Sequence, residues 1–92
     1  MNLTIRGPKY DYAVSGTYKE FIEPIEVGWE KYVPGPRRIE GKGRISLEQW
    51  FAIRNDQALM LEIGGTWHPI VLTFSELIDG ESEVRIQFQG VS

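Results

Sequence analysis

The 92-residue chain has no cysteine, one histidine and no apolar run near the roughly 18 residues that cross a bilayer. The missing thiols exclude disulfides, a thiolate nucleophile and cysteine-ligated zinc or iron–sulfur sites, and fit a reducing compartment. His68, the single imidazole, has no sequence-local partner to orient it, so it reads as a structural residue at the edge of the core. Met1-Asn2-Leu3-Thr4-Ile5-Arg6 lacks the apolar stretch of a secretory signal, which leads to the expectation of a soluble, cytoplasmic protein without a membrane partner. In that setting the glycosylation acceptor Asn2-Leu3-Thr4 is a coincidence.

Basic residues are scarce in the second half. Positions 1–46 carry eight basic and six acidic residues, positions 47–92 two and seven, for a net charge of −3. Such a bipolar layout can aid head-to-tail association between copies, and is equally often an accident of where the exposed faces fall. Linkers, repeats and low-complexity segments are absent, and 41% apolar and 12% aromatic residues suit one folded domain over 1–92.

What is present is alternation. Leu3 and Ile5 alternate with polar residues before Gly7-Pro8, and Tyr10, Tyr12, Val14 and Tyr18 share one face of a long strand with a bulge or bend at Gly16. Ile25, Val27, Trp29 and Val33 mark the apolar face of a further strand after Pro24. Pro34-Gly35-Pro36 reads as its stop and turn, because proline lacks the amide a ladder needs. A return strand over 38–45 then has Ile39, Gly41, Gly43 and Ile45 inward. With a loop over 34–38, Val33 faces Ile39, Glu30 faces Lys42, and the Trp29 indole covers Gly43; a loop over 34–36 would set it on Gly41 instead.

Ser46-Leu47-Glu48-Gln49 fits a capping box, so a helix of about three turns opens at Ser46, docks Leu47, Trp50 and Phe51, and ends at Asn55-Asp56. Strands over 58–63 and 67–74 flank Gly64-Gly65, a two-residue hairpin turn pairing Ile63 with Thr66, Leu61 with His68 and Leu59 with Ile70. A three-residue loop at Asp79-Gly80 sets Phe74 opposite Ile86. The fold class is therefore mainly β with one short helix, in the order β-β-β-β-α-β-β-β: an antiparallel sandwich or small barrel with the helix packed at one end. Its core is expected to contain Trp29, Trp50, Phe51, Leu61, Leu72, Phe74, Ile86 and Phe88.

Catalysis needs a nucleophile with its base, paired carboxylates or a metal cage, and none is spelled out, so no catalytic residue, metal or cofactor is assigned. Gly35 to Gly43 resembles a phosphate-binding loop only loosely, with its glycines one residue too far apart and no Ser or Thr after Lys42. Glu20, Glu23 and Glu26 read as a solvated strand end. The candidate interaction surface is Lys31, Tyr32, Arg37, Arg38, Lys42 and Arg44.

Three functions compete. The first is a non-catalytic structural or assembly module that contacts copies of itself or a neighbouring protein, since exposed sheet edges need covering. Small subunits of phage-tail-like tubes combine a β-sandwich with one helix, and the layout suits such a virion or particle component. The second is a small barrel that binds single-stranded nucleic acid or another polyanion through the basic hairpin, its strand order being compatible with an oligonucleotide-binding barrel. The third is a small-molecule binder with a pocket near Trp67 and His68.

Overall fold

Period-2 alternation closes into a six-stranded antiparallel barrel in a computed structural model that describes residues 2–56, 58–78 and 82–91. The elements are β1 (Asn2–Arg6), β2 (Asp11–Gly28), β3 (Lys31–Ser46), α1 (Leu47–Ile53), β4 (Leu59–Ile63), β5 (Thr66–Leu77) and β6 (Glu83–Val91). Around the barrel the order is β1-β2-β3-β6-β5-β4, so two three-stranded meanders are joined by the helix. The fold is mainly β with one helix, and of sandwich and barrel it is the barrel.

Inward positions build one core: Leu3 and Ile5 of β1, Tyr12 and Val14 of β2, Ile39 and Ile45 of β3, Leu59 and Leu61 of β4, Ile70 of β5, and Val84, Ile86 and Phe88 of β6. Gly41 belongs to this inner row, and a Cβ there would fall on the Phe88 ring. The aromatic ring that covers bare backbone in this row is thus Phe88, at Gly41, where the sequence pointed to Trp29, at Gly43.

Ser46 caps α1 as expected: Gln49 N–H donates to Ser46 Oγ at 3.1 Å, and Ser46 N–H to Gln49 Oε1 at 3.4 Å. The helix has only 7 residues. Its buried anchor is Ile53, with Leu47 and Trp50 packing beside it. Phe51 is 50% exposed, on the far side of the helix under the Arg54 guanidinium, 4.8 Å from its ring centroid. That corrects its placement in the core.

The β4–β5 hairpin has the expected register, Ile63 with Thr66, Leu61 with His68 and Leu59 with Ile70. Gly64 and Gly65 take φ of 57° and 81°, the left-handed pair that a tight hairpin requires. The register of β5 on β6 differs from expectation. An extra residue, Thr73, between the Leu72–Phe88 and Phe74–Gln87 pairs reverses the parity, so Phe74 faces outward at 45% exposure and Ser75, not Phe74, lies opposite Ile86. The Asp79-Gly80 turn lies outside the described residues.

The largest correction concerns the first long hairpin. Pro34-Gly35-Pro36 is not a turn: β3 runs through it without a break, β2 runs through Pro24, and the chain reverses at Trp29-Glu30. Four expected strands are therefore three. Val33 pairs with Ile25, Ile39 with Glu20, Lys42 with Thr17 and Gly41 with Tyr18, and no register shift occurs at Gly16. Tyr12 and Tyr18 face the interior as read from sequence, whereas Tyr10 precedes β2 and is exposed.

Candidate functional site

β3 loses its β6 partner beyond the Arg38–Val91 pair, and β2 loses β1 beyond Ser15–Asn2. From there to Trp29 the two strands pair only with each other, as an arm reaching roughly 30 Å at about 3.3 Å per residue. The arm explains the long axis of the 50 × 28 × 24 Å molecule. It also explains a radius of gyration of 15.1 Å, against the roughly 12 Å expected for a compact chain of this length.

Two features adapt the arm to prolines. Pro24 pairs with Pro34, and since neither has an amide to donate, the pair occupies a site where both nitrogens face away from the ladder. Between that pair and Ile22–Arg37, Gly35 and Pro36 together oppose Glu23 in a bulge, and a Cβ on Gly35 would collide with the Glu23 carbonyl. Both free edges thus lack a donor at the same level, which discourages addition of a further strand.

Apolar side chains stand on both faces of the arm, beside Glu23 and Arg38 on one and Glu26 and Arg37 on the other. Phe21, Ile25 and Val33 lie on one side, Ile22, Pro24, Tyr32 and Pro34 on the other, and Phe21, Ile22, Ile25, Val27, Tyr32 and Val33 are all exposed. Trp29 at the tip is 88% exposed, which overturns its assignment to the core. Glu30 beside it adopts φ 55°, a left-handed conformation rare in side chains other than glycine, asparagine and aspartate. A two-stranded ribbon is marginal in water by itself, and this one leaves apolar side chains exposed on both faces.

The six surface residues singled out from sequence all lie on β3. Lys31 and Tyr32 are at the tip, Arg37 and Arg38 at the base of the arm, and Lys42 and Arg44 on the barrel wall. Arg37 pairs with Glu20 at 3.7 Å, Arg38 Nε donates to Glu23 Oε2 at 2.7 Å, and Arg44 lies 3.9 Å from Glu83. Glu20 and Glu23 are thereby engaged on opposite faces of the arm. Among the described residues no group of three or more His, Asp or Glu side chains is placed to hold a metal ion.

At the base of the arm, on the barrel rim, lies a groove of about 600 Å³ whose apolar lining includes Phe21, Pro69, Val71 and Val91, with Arg38 among its polar residues. It shares Glu40 and Gln89 with a trough of about 470 Å³ along the wall, lined also by Lys19 and Lys42. Near Trp67 the geometry is different: the Arg6 guanidinium stacks 4.0 Å from the indole and donates to Asp11 at 2.9 Å. That hydrogen bond is the main reason the Asp11 carboxyl is held below its ordinary range. His68, opposite Leu61, is half-buried on the inner face.

Sequence reading missed the arm because the residues of its real turn are unusual. The signal that would have found it is symmetry: Pro24 and Pro34 stand five positions either side of Trp29, so a reversal there sets proline against proline.

Comparison with protein-family models, with curated proteins and with solved structures gives no match. Among the described residues no helix is long and apolar enough to cross a membrane.

Proposed function

We propose that the protein is a non-catalytic assembly module that uses the β2–β3 arm to hold a protein partner, as the particle-building role read from its sequence requires. The observation that carries this is the arm itself: it exposes apolar side chains on both faces, is capped by Trp29, and is left uncovered by the rest of the described chain. Blunted edges at Pro24 and Pro34 direct contact to the side chains, which suits a specific docked partner better than open-ended strand addition.

Photo-crosslinking from Tyr32 in cells tests it. Protein adducts are expected from the intact chain, and they should vanish with Trp29→Glu at the tip, the probe being kept at position 32. Adducts no more abundant than from Glu62 on the barrel wall would refute the proposal.

Binding of single-stranded nucleic acid or another polyanion is the second reading, supported by the run of cations on β3 and by the closed barrel. It is the weaker one, because Arg37, Arg38 and Arg44 each already face a glutamate. Such binding would weaken steeply with added salt.

A further inference from the structure

We infer that the partner of the arm is a second copy of this chain, with the tip of one arm seated head-to-tail in the groove at the base of the next. This rests on the reading of the arm given above and names its occupant.

The groove cannot be filled by its own arm. Pairing of β2 with β3 continues from Ser15–Arg44 to Gly28–Lys31, interrupted only by single-residue bulges, so the tip is held roughly 30 Å from the base at about 3.3 Å per residue. A tip from another copy has no such restraint.

Charge supports the match. Lys19 in the trough pairs with Glu40 at 3.4 Å, and Arg38 in the groove with Glu23 at 2.7 Å. Among the described residues Lys42 has no carboxylate within 4.0 Å, and on the arm Glu26 and Glu30 have no cation within that distance. The spacing agrees as well. Lys42 lies four residues from Arg38 along β3, about 13 Å, and Glu26 lies three from Trp29, about 10 Å. With the Trp29 indole among Phe21, Val71 and Val91 of the neighbour, the Glu26 carboxylate comes within reach of the Lys42 ammonium.

A standard interface takes roughly 800 Å² from each side. Beyond the groove the arm offers 14 residues, 24 to 37, exposed but for Gly35, of which Trp29 and Tyr32 alone would bury on the order of 300 Å². Donor and acceptor are different patches, so the contact is heterologous and propagates into a ring or a filament.

Size-exclusion chromatography with light scattering on the full chain tests this. Wild type should form oligomers, and Trp29→Glu and Val71→Glu should each be monomeric while keeping the wild-type circular dichroism and the melting temperature of wild type diluted to monomer. Both side chains point to solvent, at 88% and 60% exposure; should Val71→Glu unfold, Val91→Glu replaces it. An equimolar mixture of the two monomers should give one defined heterodimer, since the intact arm of the Val71→Glu chain fits the intact groove of the Trp29→Glu chain. Glu26→Lys and Lys42→Glu should each weaken assembly about tenfold, and together restore it to within about threefold of wild type. Two monomers that fail to combine would mean arm-to-arm packing and overturn the proposal. A wild-type chain that stays monomeric at millimolar concentration would overturn it too, while the crosslinking test at Tyr32 decides separately whether the arm holds a different protein.

Discussion

Tyr12 Oη donates a 2.7 Å hydrogen bond to Asp56 Oδ2, joining the inner face of β2 to the segment that follows α1, 44 positions away in sequence. Tyr12 is 3% exposed, so the bond sits where water competes poorly. Tyr12→Phe should lower unfolding free energy by about 1 kcal/mol, read as a shifted urea midpoint with an unchanged slope. A midpoint equal to wild type would mean the latch contributes nothing.

The same latch gives the fold an alkaline limit. Burial first, and then the bond to Asp56, push the Tyr12 phenol up to about 12 from its usual 10. The neutral form is therefore favoured in the folded state, and the stabilisation is fully present below pH 10. It is lost as pH rises from 10 to about 12, because the unfolded chain releases that proton first. Chemical denaturation at a series of pH values should show stability falling across this window, and Tyr12→Phe should remove that part of the slope.

Gly41 and Trp29 should respond oppositely to substitution. A side chain at Gly41 meets the Phe88 ring in the closed core, so Gly41→Val should cost about 1–3 kcal/mol or prevent folding. Trp29→Ala at the exposed tip should change stability by no more than about 0.5 kcal/mol at a dilution where both proteins are monomeric. Thermal melts of both variants check the contrast, and a large loss at Trp29 would return that indole to the core.

Gly35 separates arm from barrel. Gly35→Ala places a Cβ against the Glu23 carbonyl at the bulge. The expected result is rapid amide hydrogen exchange over 23–34, lost assembly and a barrel that melts like wild type diluted to monomer. Retained protection throughout the arm would show the bulge to be dispensable.

Ser46→Ala removes the oxygen that accepts from Gln49 N–H, and should cost about 1 kcal/mol, because the short helix depends on its cap. Ser46→Asp should recover most of that loss. Equal stability of all three proteins in urea would contradict the role given to the cap.

Residues on the barrel were legible because local pattern and burial agree there. Leu3, Ile5, Leu61, Ile86 and Phe88 alternate and are buried, and the Ser46 cap and the Gly64-Gly65 turn each follow from adjacent residues. Parity failed where one residue was inserted without a sequence mark, at Thr73, and that put Phe74 outside.

What the sequence determined by itself was the β-rich class, the single capped helix and the inner row of most strands, since period and capping are local properties. Closure into a barrel and the true point of chain reversal belonged to the tertiary structure. A proline stops a strand only if its missing amide is needed, and on an arm with no third strand beside it Pro24, Pro34 and Pro36 are tolerated. Trp29 alternates like a core residue, yet it lies beyond the last strand that could cover it, and only the pairing of the whole chain fixes where that cover ends.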